Sequence, residues 1–384
     1  MSSSVFAPVC RSTHDSSASY LTPISTASAH LSPQLQPQPH TRRNYRSSIA
    51  TAIIPLAIFP LAACSGISNP HREHNGIDIS VAPFTPTPDG ATYANPPDEA
   101  SASQAPRPDT TTDTDAYAPL APDNSTPEER IPDIVRRGRI IVGVSSSLNF
   151  LGFQDPSSGN LEGFDVSLAR EIARDIFGDP ERIDFRFLSS AERVDALQHG
   201  NVDIVVRTMT IDRERRAKVA FSAPYLHAQA RILASTSSSI QSADDLRDAT
   251  VCVTKDSTFQ HNAQVIAPHS RFLITNDWSD CLVAMQQHQV QAIISDDSIL
   301  SGLAAQDSNT HLVGQPYGSS DYAVGIAKST PGKNTDGLVR QANSTLMRIR
   351  SDGTWQRLYD KWLGKYLGDS GVPPEPTYVQ EEPQ

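Results

Sequence analysis

Between about residue 131 and residue 368, short apolar runs alternate with amphipathic stretches. Arg139-Ile-Ile-Val-Gly-Val144 is an apolar run behind a charge, and it predicts a buried strand. From Asp165 to Phe177 the apolar positions are 168, 169, 172, 173 and 176, the spacing of one helical face. Gly178 suits the stop of that helix. Ser189-Ser-Ala-Glu192 reads as a capping box that opens a helix to His199, with Gly200 ending it. Val202–Val206 is a second buried strand. The rhythm continues with a helix near 242–247, a strand at 250–254, a helix at 278–288 and a strand at 290–295. Strands alternating with helices predict an α/β fold whose parallel sheets are covered on both faces.

Upstream the pattern changes. Arg42, Arg43 and Arg46 precede an apolar run of fifteen residues, Ile49–Ala63. A bilayer span needs about twenty, and Pro55 and Pro60 interrupt this one. A basic region, a short apolar region and small residues before a cut describe a signal peptide. The run closes on Leu61-Ala62-Ala63-Cys64, which resembles the bacterial lipobox and implies diacylation of Cys64; two acyl chains suffice for stable anchoring. The alternative is an ordinary signal peptide with an incidental cysteine. Residues 1–63 thus read as leader and signal peptide, with an unusually long polar lead, and the true translation start is left open.

Residues 64–130 are rich in Pro, Ser, Thr and Asp, with eleven prolines between Pro70 and Pro127. Nothing apolar recurs there with a period, so the stretch is expected to be an extended tether without a core. His71 and His74 lie within it without a third ligand nearby, so no metal site is expected. Residues 369–384 are again rich in Pro and Glu and read as a disordered tail. The whole chain has 384 residues, is 38% hydrophobic and carries a formal net charge of −11. The apolar share supports a sizeable core, and the acidic balance argues against nucleic acid. Four cysteines, at 10, 64, 252 and 281, do not make a disulfide-dense scaffold.

Three segments carry a family resemblance. They are Gly163-Phe-Asp-Val-Ser-Leu-Ala-Arg-Glu-Ile-Ala173, the stretch Asn201–Arg215 followed by Phe221-Ser-Ala-Pro-Tyr225, and Asp352-Gly-Thr-Trp-Gln-Arg-Leu-Tyr-Asp-Lys-Trp-Leu363. In that order they resemble the family 3 solute-binding proteins, the polar amino-acid receptors of bacterial ABC importers, and are most like the actinobacterial GlnH-type lipoproteins for glutamine, glutamate or aspartate. Ser167 stands where the family usually has an acid. The resemblance implies a type II periplasmic-binding-protein-like fold, two α/β lobes joined by two crossover strands. The first lobe takes 131–226 and 325–368. The second, with the crossovers, takes 227–324, the crossings falling near 227–231 and 320–324. Ligand sits in the cleft and the lobes close by hinge motion.

An amino acid needs an anion site and a cation site. The resemblance places Arg215 on the α-carboxylate, where a guanidinium fork binds in two-toothed fashion. It lies in the first turn of a helix capped by Asp212, which replaces the usual Thr. The alternative for Arg215 is a solvated charge in a basic run. Thr208 and Thr210 match ligand-bonding positions, and strand alternation points both one way, so Arg207 is set aside as facing elsewhere. Asp296, ending a strand, matches the acceptor of the α-ammonium, and Asp297 is expected to cap the next helix. The segment Thr254-Lys-Asp-Ser-Thr258 matches a loop in which the family usually has a glycine where Asp256 stands; the resemblance makes Lys255 and Thr258 its candidates. Ser190 and Arg193 fit a Ser-x-x-Arg pattern in which Arg meets a distal carboxylate. Otherwise Arg193 lies on an exposed helix face beside Glu192 or Asp195. Ser145–Ser147 lack the acid that relatives often carry there, which also favours an anionic ligand side chain. Phe150 and Phe153 are either pocket walls or core. Relatives share the pair Cys252 and Cys281, and export permits a disulfide between them; two buried thiols are the alternative.

The implied function is therefore a monomeric, lipid-anchored, extracytoplasmic receptor that needs no cofactor or metal. It binds glutamate or aspartate, with glutamine or asparagine possible, for an ABC permease. Two alternatives stay open. One is a lipoprotein sensor that signals through a membrane receptor or kinase. The other is an enzyme on the same fold, such as a dehydratase, although no nucleophile elbow, zinc helix or phosphate loop is present.

Overall fold

The structure, a computed structural model, describes residues 86–95, 118–367 and 371–379. The leader, Cys64, His71 and His74 lie outside the described residues. Among those described, no helix is long and apolar enough to cross a membrane.

The strands in chain order are β1 (Thr92–Ala94), β2 (Ile140–Val144), β3 (Ser147–Leu148), β4 (Gly152–Gln154), β5 (Leu161–Glu162), β6 (Ile183–Phe187), β7 (Ile204–Val205), β8 (Val219–Ser235), β9 (Thr250–Thr254), β10 (Arg271–Thr275), β11 (Ala292–Asp296), β12 (Thr310–Val313) and β13 (Ser319–Ala327). The helices are α1 (Pro127–Arg130), α2 (Pro132–Arg137), α3 (Phe164–Phe177), α4 (Glu192–Gln198), α5 (Arg213–Lys218), α6 (Phe259–Ile266), α7 (Trp278–Gln286), α8 (Asp297–Ala304), α9 (Asp336–Ser351), α10 (Thr354–Trp362) and α11 (Gly364–Leu367). The stretch near 242–247 is a single 3₁₀ turn, Ala243–Leu246.

Two parallel groups form, as the alternating pattern predicts. β2 pairs with β6 and β7, and β9 pairs with β10 and β11. Between them β8 and β13 run antiparallel, completing the order β1-β10-β9-β11-β8-β13-β7-β2-β6, with β12 beside β8. β8 is 17 residues long. It pairs with β13 through Gln229 and with β11 from Ala230. These two strands carry the chain from a first half, built on β2, to a second half, built on β9, and back. The fold is the two-lobed, type II arrangement.

Helix α3 buries the predicted face: Leu168, Ala169, Ile172 and Ala173 are all fully buried. Each large aliphatic side chain there contributes about 1.5–3 kcal/mol. Gly178 ends the helix in the left-handed conformation at φ 72°. At the C-terminus, buried Trp355 donates its Nε1–H to the Tyr225 carbonyl at 2.8 Å and stacks on Tyr359, tying α10 to β8. Only half of the predicted capping box forms. Glu192 accepts from the Ser189 N–H at 2.7 Å, but α4 begins at Glu192 itself.

Two expectations need correction. The Pro-rich stretch is not wholly extended tether, because Thr92–Ala94 adds an antiparallel strand to β10, with Thr92 opposite Ile274. Tyr93 lies 5.3 Å from the Arg271 guanidinium. Nearer the domain, Thr126 and Glu129 make a reciprocal capping box on α1, and Asn343 donates to the Leu120 carbonyl at 2.8 Å. Within the tail, the Val379 N–H donates to the Pro119 carbonyl at 3.1 Å, and Tyr378 packs against the core. Isolated aromatics and backbone pairing dock these segments, and neither leaves a periodic signal.

Candidate functional site

The cavity between the halves is lined by Ser190, Arg193, Thr208, Thr210 and Arg215 from the first half. Ser257, Thr258, Phe259, Trp278, Asp296 and Ile299 line it from the second. It sits beyond the carboxyl ends of the parallel strands, where open α/β sheets bind ligands.

Asp212 caps α5, its Oδ1 accepting the Arg215 N–H at 2.7 Å. Its Oδ2 lies 3.2 Å from Arg215 Nη1. The acid that replaces the usual Thr is thus occupied by the helix start and by Arg215. The guanidinium is held by the Thr210 carbonyl at 3.1 Å and, across the cleft, by the Asp256 carbonyl at 2.9 Å. Arg215 is 9% exposed, so it is not a solvated charge. Asp256 adopts φ 54°, the left-handed region that its replaced glycine would favour and that Asp tolerates. The loop therefore keeps a glycine-like turn, and its carbonyl faces the arginines.

Arg193 is buried, not on an exposed face. Its Nε donates to the Ser190 carbonyl at 2.9 Å, and Nη1 to the Arg207 and Thr208 carbonyls, each at 3.1 Å. Nη2 lies 3.5 Å from the Asp256 carbonyl. No carboxylate pairs with it among the described residues. Burial, then the charges of Arg215 and Arg207, push its pKa well below the ordinary arginine range. Ser190 Oγ accepts from Arg207 Nη1 at 2.8 Å, which leaves the hydroxyl proton free to be donated elsewhere.

Thr208 has φ 39°. Its N–H donates to Asp165 Oδ2 at 3.1 Å, and the Tyr225 hydroxyl donates to Asp165 Oδ1 at 2.9 Å. Asp165, at the start of α3, thereby holds the strained turn that presents Thr208 and Thr210; burial pushes its pKa up to about 7. Opposite, Asp296 is 2% exposed. Its Oδ2 accepts from the Tyr322 hydroxyl, while Oδ1 has no hydrogen-bond partner among the described residues. Burial pushes this carboxyl up to about 6. The site as a whole offers guanidiniums and hydroxyls on one wall and a buried carboxylate on the other.

The model of the bacterial extracellular solute-binding proteins, family 3, matches residues 140–365. The chain belongs to this family. It is 33% identical over 226 residues to the ABC transporter glutamine-binding protein GlnH of Bacillus subtilis, covering 59% of this chain and 81% of that one. To the glutamate-binding protein GluB of Corynebacterium efficiens it is 28% identical over 261 residues, covering 64% of this chain and 87% of that one. Among solved structures, it resembles an ancestral amino acid-binding protein described as a precursor of cyclohexadienyl dehydratase. That match has a TM-score of 0.54 at 27% identity, over 60% of this chain and 98% of that one. All three are binding proteins by name, and family 3 members are extracytoplasmic.

Of the family positions carried over from sequence, Arg215, Asp296, Thr208, Thr210, Arg193, Ser190 and Thr258 meet around one cavity. Lys255 does not: its side chain is exposed, and its N–H donates to the Thr275 carbonyl at 2.8 Å. Ser257 takes the inward place instead. Asp297 is not the helix cap. It is the first residue of α8, and its carboxylate accepts the N–H groups of Gln229 and Ser298 at 3.0 and 2.7 Å. Phe150 and Phe153 are not cavity walls; they pack on Tyr366 and Trp362. Cys252 and Cys281 are joined by a disulfide that ties β9 to α7. Phe259, Trp278 and Ile299 escaped the sequence reading because an apolar wall and an apolar core look alike in sequence. Among the described residues, no cluster of His, Cys, Asp and Glu is placed to hold a metal.

Proposed function

We propose that the chain is an extracytoplasmic, lipid-anchored receptor for an amino acid with an acidic side chain, glutamate or aspartate ahead of glutamine or asparagine. It delivers this ligand to the permease of an ABC importer and is attached to the membrane through Cys64. Arg215 takes the α-carboxylate, with Thr210 and Thr258 beside it, and Asp296 takes the α-ammonium.

Arg193 carries the reading. A buried guanidinium whose partners are carbonyl oxygens is a costly arrangement, relieved by an anion brought from outside. Ser190, with its hydroxyl proton free, adds a second donor, so the side-chain end of the cavity favours a group that only accepts. A charge-assisted pair is worth roughly 1.5–3 kcal/mol, about tenfold to a hundredfold in affinity. GluB is named for glutamate, which supports an acidic ligand, and GlnH for glutamine, its amide.

The test is calorimetry on the intact chain with glutamate, aspartate, glutamine and asparagine. One ligand binds per chain, and the acidic pair binds at least as tightly as the amides. Arg193→Gln weakens the acidic ligands by about tenfold to a hundredfold and leaves glutamine within a few-fold. An equal loss for acids and amides removes Arg193 from the side-chain subsite.

A further inference from the structure

Arg207 lies just beyond β7 in the first half, and its side chain is 1% exposed. It does not line the cavity. Its Nη1 holds Ser190 Oγ, and its Nη2 donates to Asp277 Oδ1 at 2.9 Å. Asp277 belongs to the second half. It is the N-cap of α7, with a reciprocal capping box to Asp280, and its side chain is 35% exposed. Neither residue of the pair lines the cavity. The pair therefore joins the two halves beside the cavity, whereas the other guanidinium contacts across the cleft, from Arg215 and Arg193 to the Asp256 carbonyl, come from residues that line the cavity.

We infer that Arg207 and Asp277 form a closure latch, a positioning pair that holds the halves shut around bound ligand without taking part in choosing it. The inference rests on the amino-acid-receptor reading. Opening the cleft returns both charges to water, and closing it pairs a buried guanidinium with a carboxylate already fixed by its helix. A latch of this kind changes the balance of open and closed forms. Every ligand that needs the closed form then gains or loses affinity by the same factor. Dissociation carries most of the change, because the cleft must open before ligand leaves.

The test uses the intact chain, with L-glutamate and L-glutamine as probes. Asp277→Asn removes the charge but keeps a good N-cap, so the second half stays folded; Arg207→Gln and the double variant complete the cycle. Calorimetry gives the affinities, and stopped-flow fluorescence of Trp278 in the cavity wall gives the dissociation rates. Each single variant should weaken both probes by about tenfold to a hundredfold, mainly through faster dissociation; in Asp277→Asn the glutamate-to-glutamine ratio should stay unchanged, whereas Arg207→Gln also releases Ser190 Oγ and is read by its dissociation rates alone. The double variant should be little worse than either single one. Wild-type affinity and dissociation in Asp277→Asn overturn the latch, and so does a changed glutamate-to-glutamine ratio in that variant. If the wild type binds neither probe, the receptor reading fails separately. The latch is then judged by small-angle scattering, where an equal radius of gyration in wild type and Asp277→Asn overturns it and a larger one in the variant supports it.

Discussion

Asp296 makes ligand binding and folding respond to pH in opposite directions. Its carboxyl is buried and is pushed up to about 6 from an ordinary 3.8, chiefly by burial and against the hydrogen bonds from Tyr322 and Ser320. An α-ammonium needs the charged form. At about pH 7.5 nearly all of this carboxyl is ionised, and at about pH 5 roughly one in ten molecules is. Affinity for glutamine, whose side chain does not titrate, should therefore fall about tenfold between those values, roughly 1.4 kcal/mol. Binding near pH 6 should also release about half a proton per ligand. For the ligand-free protein the sign is reversed. The folded pKa lies above the unfolded one, so the stability that Asp296 contributes is fully present below the unfolded value and is lost as pH rises through about 6. The roughly two-unit shift corresponds to about 3 kcal/mol. Calorimetry in buffers of different ionisation heat, together with thermal melts across the same range, measures both effects. Asp296→Asn should bind weakly at every pH, and its melting point should fall less than the wild type's as pH rises. Wild-type affinity for glutamine that stays level from about pH 5 to 7.5 would refute the placement of the ammonium on this carboxylate.

Arg215→Ala should abolish binding of glutamate, aspartate, glutamine and asparagine alike, as a thermal-shift screen would show by the loss of every ligand-induced rise in melting point. The disulfide between Cys252 and Cys281 spans a sequence separation of 29 and should stabilise the fold by roughly 3.5 kcal/mol in the chain-entropy view; a denaturant midpoint that reduction leaves unmoved would count against that. Hydrogen exchange on the intact chain should find amides of Thr92–Ala94 slowed relative to an unstructured peptide, and exchange at the unstructured rate would mean that β1 does not pair with β10 in solution.

The parts legible in the sequence were those whose physics is periodic. The strands at 140–144 and 250–254 and the helices at 164–177 and 278–286 follow from which positions must be apolar. β8 was less legible as one 17-residue strand because Pro224 lies inside it, and proline cannot donate to a ladder. The structure accommodates it where pairing is irregular: Ala323 stands opposite Pro224, and the register of β13 shifts on either side. β1 was not legible at all. Three residues among prolines make no pattern, and only the free edge of β10 gives them a place.

The site shows the same division, and Arg207 is its sharpest case. Thr208 and Thr210 were placed on one face by the two-residue alternation of a strand, which put Arg207 on the other. The two threonines do share the cavity and Arg207 lies outside it, but the rule says nothing of where Arg207 goes instead. Alternation holds only while the backbone stays extended, and β7 ends at Val205. Three residues later Thr208 sits at φ 39°, held there by Asp165, some forty positions away in sequence. Once the backbone leaves the extended region, the direction of a side chain is set by what anchors the turn. Here the anchor is a buried carboxylate on α3, and the turn it fixes directs Arg207 across to Asp277. A residue set aside on periodicity thus lies outside the cavity and reaches Asp277, a partner that could be found only by knowing which distant group holds the backbone beside it.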